Sequence, residues 1–392
     1  MIESFLFFGP SAEFIPRSMF WLRLTNVLCM VGSLFAVLSA LRHFKMFRTG
    51  GGTNPFSKLA LWTVLVGMIT VGISVGYRWV EVNHFPSQTM SEVLVMFSAA
   101  LIVAIFVLHY ALKLARMGPG WAIVDDALIL MVLIGAFLTN YYSTSLSTAQ
   151  RDLPPALQSY WFAPHLVALI FSYATLGIAG LIAMVYFSMR FWIGVMRGGW
   201  SFGSQALVAL LLLAIPFAHW VTGPVLLVVG LILFVLNRHD VLPTRERFAV
   251  IEKQMDQVSY TAFTVGIPFL TAGLFMGAFW AQEAWANYWG WDSKENSALI
   301  SWLIYVGYIH LRMLGGYRGE KAMAVLLGGA VSIFFTFQIF GYLPDSQKSL
   351  HRYTDDGVVP REGMQGASSA PSQMDEARLE MPEDGTTDGD DE

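Results

Sequence analysis

Residues 165–189, HLVALIFSYATLGIAGLIAMVYFSM, hold no Asp, Glu, Lys or Arg. A helix needs about 20 apolar residues to cross the hydrocarbon of a bilayer, so this segment reads as a transmembrane helix. Comparable runs at 19–41, 59–79, 91–112, 121–141, 259–281, 297–317 and 322–343 bring the expected core spans to eight. A further stretch, 205–237, is too long for one comfortable crossing and is broken by Pro216 and by Gly223-Pro224. It reads as an inserted helical hairpin, since breaks at membrane depth are tolerated where neighbouring helices shield the backbone. The expected fold is an all-α polytopic membrane protein of about eight core transmembrane helices plus that hairpin, with membrane lipid as its solvent.

Composition agrees. Hydrophobic residues make up 55% of the 392 and charged residues 13%, against about 25% charged in soluble chains. Such a chain cannot cover a water-facing surface, which excludes a secreted, nuclear or cytosolic enzyme. Continuous apolar runs also exclude an alternating β-barrel pattern. The net charge of −4 hides two regimes: residues 352–392 hold 12 acidic and 3 basic residues, the remainder 16 acidic and 21 basic. Nothing there suggests nucleic acid. Residues 1–353 read as one membrane domain, and 354–392 as a disordered acidic tail too poor in apolar residues to fold. Cys29 is the sole cysteine, so no disulfide or CxxC chemistry arises within the chain. Glu3 and Glu13, with no basic segment between them, do not read as a cleaved signal peptide.

Fifteen of the 24 basic residues fall in alternate loops, among them Arg42, Lys45, Lys58, Lys113, Arg190, Arg245 and Arg318. Basic loops mark the cytoplasmic side. Both flanks of 205–237 are basic, which favours a hairpin and puts both termini outside.

The outer face then gathers the unusual residues. It carries His84 in one loop, His165 at the start of a span, and His351 beyond the last. Loop 282–296 is the densest aromatic cluster: Trp285, Tyr288, Trp289 and Trp291 beside Asp292, Lys294 and Glu295, with Trp280 just before it. Scattered Trp forms interfacial belts, but four Trp within twelve residues next to fixed charges offer flat apolar surface with polar edges. Haem suits this, with an iron that takes His ligands; a quinone or a lipid headgroup suits it less specifically. His310 lies about 14 residues into its span, roughly 20 Å deep, and is open to a ligand role or a packing role. His43, His239 and His109 read as ordinary residues near basic loops. Asp292 and Glu295 could cap the following helix or touch a ligand.

Trp285-Ala286-Asn287-Tyr288-Trp289-Gly290-Trp291-Asp292-Ser293-Lys294-Glu295 resembles the WWD signature of haem-handling proteins, approximately W-G-x-x-W-x-W-D-x-x-E. It departs only at Ala286. With His84-Phe85-Pro86, His165 before Ser172-Tyr173-Ala174, His310, and His351-Arg352-Tyr353, the chain resembles the CcsA (ResC) family of System II cytochrome c biogenesis over about residues 60–353, less the hairpin. That resemblance implies haem b carried outward across the membrane and attached to the CxxCH segment of apocytochrome c; the acidic tail and the lack of a transit peptide point to a bacterial inner membrane over a thylakoid-like one. The chain would then be a subunit of a haem lyase. It implies a CcsB/ResB-like membrane partner, His165 and His351 as outer iron ligands, and His310 as one ligand of a membrane site. Trp285, Trp289, Trp291, Asp292, Glu295 and His84 would bind the macrocycle. His219, in the hairpin, receives no role. Two other classes compete: a haem-free transporter of a small solute, which predicts inverted repeats, and a quinone-linked redox subunit, which predicts paired His within spans.

Overall fold

The computed structural model describes residues 16–49, 52–114, 119–146, 154–197, 229–234, 237–238 and 245–339. Most of the expected hairpin, together with His219, His239, His351 and the segment 354–392, lies outside the described residues.

Eight long helices follow in order: α1 Arg17–Thr49, α2 Pro55–Val82, α3 Met90–Leu112, α4 Pro119–Ser143, α5 Phe162–Arg197, α6 Arg245–Trp285, α7 Ser293–Met313 and α8 Glu320–Phe334. A 3-10 turn, Pro155–Leu157, precedes α5, and a π-helical turn, Phe335–Ile339, follows α8. No strand occurs among the described residues. The ends are written locally. Asn54 caps α2 through Phe56 N at 3.2 Å with Pro55 behind it, and Thr89 with Glu92 forms a reciprocal capping box on α3. Asn83 and Lys113, at φ 60° and 50°, close α2 and α3.

Seven of these helices, all but α7, are long and apolar enough to cross a membrane, and they coincide with seven of the eight expected spans. The protein is a multi-pass membrane protein. Large apolar side chains such as Leu34, Trp62, Ile69, Leu138 and Phe275 point outward, as lipid-facing positions require.

The eighth expected span, 297–317, is shifted and chemically different. Its helix, α7, runs from Ser293 to Met313, because Asp292 starts it and Gly316, at φ 63°, turns the chain away after it. At 21 residues it extends about 31 Å. Its inward face is polar: Ser297, Ser301, Tyr305, Tyr308 and Arg312 are buried, while Ile300 and Leu303 are exposed.

The helices pack in two groups. In the first, α1 lies against α2 and α4, and α4 against α3; in the second, α5 lies along α6, and α8 against α5 and α7; α3 joins the groups through α5. Hydrophobic burial gives little drive between helices in lipid, so close approach and polar contacts decide. A β-carbon at Gly180 would collide with Ala330 Cβ, so only a glycine lets α5 and α8 meet that closely. Helices α6 and α7 touch little. They are tied by Trp302 Nε1 donating to Thr271 Oγ1 at 3.0 Å and by Arg312 donating twice to the Asp256 carboxylate at 2.8 and 2.9 Å. The Arg312 guanidinium also lies 4.2 Å from the centre of the Tyr260 ring.

Breaking one side of a buried ion pair costs about 3–5 kcal/mol, whereas replacing both sides with apolar residues is often neutral. Arg312→Met is therefore expected to lower the unfolding temperature in detergent sharply. Combining it with Asp256→Leu should restore most of the loss.

Candidate functional site

The ends of α5 and α6 that lie beside the Trp-rich loop form the site. His165, in the first turn of α5, places Nδ1 2.7 Å from the carbonyl oxygen of Gly273 on α6. A carbonyl can only accept, so Nδ1 carries the proton, and in the neutral ring the lone pair belongs to Nε2. A ring held this way by a backbone carbonyl is the form that binds metals through Nε2. Gly277 makes the position possible: a β-carbon there would lie 2.6 Å from His165 Cε1 and 2.7 Å from Nδ1. The Trp280 ring stacks on the imidazole at 5.6 Å between centroids and 29°. Trp280 is itself fixed by its indole N–H donating to Ala156 O at 2.7 Å, in the 3-10 turn.

His165 lines a half-open cavity of about 110 Å³ that opens to the surface. Leu166 and Ile170 of α5 and Trp280 of α6 form the apolar wall, and Tyr288 and Trp289 of the loop close over it. Lys294 and Glu295 supply a charged edge, and Thr336 and Phe337, in the π-helical turn after α8, form the far side. Trp289 Nε1 is buried and has no hydrogen-bond partner among the described residues. A buried donor left unmade costs about 1–3 kcal/mol.

The loop is shaped by its carboxylates. Asp292 Oδ1 accepts from Lys294 N at 2.7 Å, while Glu295 Oε2 accepts from Asp292 N at 3.2 Å and from Gly290 N at 2.8 Å. Asp292 and Glu295 thus form the capping box that begins α7, and Glu295 also lines the cavity. Ala286, directly after the last residue of α6, has φ 54°, and Trp291 has φ 55°. Ala286 is the position at which the WWD pattern carries glycine, and its backbone takes the left-handed conformation that glycine adopts without strain.

The structure brings together only part of the expected site. His165, Trp289 and Glu295 line the cavity. Trp285 stands behind it, edge-on to Trp280 at 4.9 Å, and Trp291 is 71% exposed and turned away. His84 does not line the cavity; its ring bonds to the Phe85 carbonyl at 2.9 Å in the loop between α2 and α3. His310 lies in the last turn of α7, at the far end from the Trp-rich loop, not part-way down a span. Its Nδ1 bonds to Val306 O at 2.8 Å, and the residue is exposed on the outward face. His351 lies outside the described residues. Among the described residues no three His, Cys, Asp or Glu side chains gather to hold a bare metal ion. The Thr336–Phe337 wall had no signal in the sequence, since it depends on a π-helical turn at the end of α8.

Residues 90–344, from α3 past α8 and including every residue lining the cavity, match the family described as cytochrome C assembly protein. The chain belongs to that family. Similar curated proteins are CcsA cytochrome c biogenesis proteins. That of Heterosigma akashiwo is 28% identical over 308 residues, covering 76% of this chain and 86% of its own. That of Chlorella vulgaris is 27% identical over 316 residues, covering 78% and 90%. That of Microcystis aeruginosa is 28% identical over 295 residues, covering 74% and 85%. As a member of the cytochrome c assembly family with CcsA relatives, the protein serves cytochrome c biogenesis in a membrane.

A non-glycine residue in the left-handed region costs about 1–2 kcal/mol. Ala286→Gly is expected to return part of this and raise the unfolding temperature by a few degrees in detergent, read by intrinsic Trp fluorescence.

Proposed function

We propose that this protein takes haem b as its substrate, presents it on the extracytoplasmic side of a bacterial inner membrane, and supports its attachment to apocytochrome c. A CcsB/ResB-like membrane subunit would act with it. The observation that carries this reading is the fixed tautomer of His165 at the wall of an aromatic cavity in a cytochrome c assembly protein. A bare ion needs several protein ligands, and among the described residues no three such side chains gather. An iron already held by a macrocycle needs one or two imidazoles, and the macrocycle needs flat apolar walls.

Within this reading, His165 Nε2 is one axial ligand and His351 the other. Trp289 and Tyr288 lie against the macrocycle and exclude water, with the Trp289 indole N–H donating to a propionate. Lys294, at the cavity edge, pairs with a propionate charge. Trp285 supports the wall through Trp280, and Asp292 and Glu295 hold the loop in shape. Trp291, exposed, offers an apolar surface to the incoming apocytochrome. His310, facing outward at the far end of α7, is one ligand of a second haem site whose other ligand comes from the partner subunit. His84 receives no part in ligation, since its ring lies outside the cavity.

Attachment is addition of two thiols of a CxxCH segment across the two vinyl groups. Each addition forms one C–S and one C–H bond, the thiol supplying both sulfur and hydrogen, so no external oxidant is required. The protein's contribution is positioning, which can supply about 7–11 kcal/mol by making the encounter intramolecular. The apocytochrome's own His then displaces one axial imidazole, which favours ligands held from one side only.

Protein purified with its partner from haem-replete cells is expected to show a reduced b-type spectrum. His165→Ala should lose most of that signal and regain it with added imidazole. Gly277→Val should lose it too, with His165 intact, because the new side chain occupies the place of the ring. Unchanged haem content in both variants would contradict ligation by His165.

A further inference from the structure

The opposite end of the first helix group holds a second cluster of ionisable residues, which plays no part in the haem reading. His43 of α1 bonds through Nδ1 to Asp126 Oδ2 at 2.7 Å. His109 of α3 bonds through Nδ1 to Asp125 Oδ2 at 2.8 Å. The two aspartates are neighbours on α4, and both are at least 98% buried. His43, which the sequence suggested was a loop residue, is buried inside α1. The pairs are not equivalent. Asp126 also accepts from Ser39 Oγ at 2.7 Å, and Ser39 is held by Asn54 Nδ2 at 2.9 Å. Asp125 Oδ1 is buried with no partner among the described residues.

The charged groups that act on one another there are His43 from α1, His109 from α3, and Asp125 and Asp126 from α4. Among the described basic side chains of this end, Arg42 donates to the Thr53 carbonyl, and Lys45 and Lys113 are exposed. Two adjacent carboxylates at this depth cannot both stand as uncompensated anions, because burial and mutual repulsion each disfavour charge. The compensation must be protons, carried by the imidazoles or by the acids themselves. A purely structural tie between helices would need no titratable partner and would leave no oxygen unmet. Here the partner is imidazole, the side chain whose charge changes between about pH 5 and 8. His109 lies three residues from the end of α3, about 5 Å along the axis, and its side chain keeps 18% of its surface accessible.

We infer that the paired His–Asp groups of α1, α3 and α4 form a proton-binding site, with His109–Asp125 the pair that loads and His43–Asp126 the pair held in place by Ser39 and Asn54. The ligand is a proton taken from the aqueous face at this end. It adds to the ring nitrogen of His109 while Asp125 supplies the compensating charge; no electron is transferred and no covalent bond to carbon changes. Through His43, the site also ties α1, which lies before the family match at residues 90–344, to α4 inside it.

The test uses full-length, haem-free protein labelled with ¹⁵N-histidine in lipid nanodiscs, so its outcome is independent of the haem reading. Ring signals of His43 and His109 are assigned by their loss in His43→Gln and His109→Gln. The glutamine amide can still donate to the aspartate, so these variants keep the tie between helices. The expected result is that the His109 ring in the wild type passes between neutral and charged forms as pH changes over the range in which the protein stays folded. Asp126→Asn, which alters only the neighbouring pair, should shift that transition, since interacting sites titrate together. Asp125→Asn should lose the charged form. If the wild-type His109 ring holds one charge state throughout that range, or Asp126→Asn leaves its transition unmoved, the pairs are static ties and the inference fails.

Discussion

The hydrogen bond from His165 Nδ1 to the Gly273 carbonyl is the interaction on which the site depends. It joins residues 108 positions apart, so it exists only if α5 and α6 pack in the correct register. It selects one tautomer, and the Trp280 face and the bare backbone at Gly277 leave the ring no other place to lie. An imidazole held on three sides is preorganised for a ligand approaching Nε2. Without Gly277, the same histidine in the same helix could not reach its partner.

A second constraint acts on the loop that covers this ring. Helices α6 and α7 are consecutive yet barely touch, so the chain between them must bridge a gap. It does so with two left-handed residues, Ala286 and Trp291, and with a capping box in which Glu295 accepts from the backbone of Gly290 and Asp292 while Asp292 accepts from that of Lys294. The carboxylates of the WWD segment therefore organise backbone, and the indoles provide the surface. At the other end, the Arg312–Asp256 pair and the Tyr260 ring hold the same two helices together. The result is a pair of helices fixed at one end and parted by a cavity at the other.

Much of this was legible in the sequence. Long apolar runs poor in charge marked seven spans, because bilayer thickness imposes a length that composition reveals, although α1 and α5 run on to Thr49 and Arg197 and α6 reaches back to Arg245, beyond the apolar stretch. The bounds of α7 were displaced, since they are set by Asp292 and Gly316 and not by where the apolar run begins and ends. The Trp-rich loop was recognisable as a unit, but the division of labour within it was not: backbone angles at 286 and 291 decide that Trp289 faces the cavity and Trp291 does not. His43 and His109 looked ordinary because their meaning lies in Asp126 and Asp125, which reach them only across helix interfaces. The gap at Gly277 was likewise silent, since a glycine shows its purpose only beside the side chain that fills it.

The central claim is that the His165 cavity holds haem. The most direct measurement is a structure of the full-length protein, isolated with its partner and loaded with haem, by electron cryomicroscopy. Iron within bonding distance of His165 Nε2, with the macrocycle lying between Trp289 and the α5 wall, is the expected result. Haem bound elsewhere, with water or a side chain filling the cavity and His165 unligated, would contradict it.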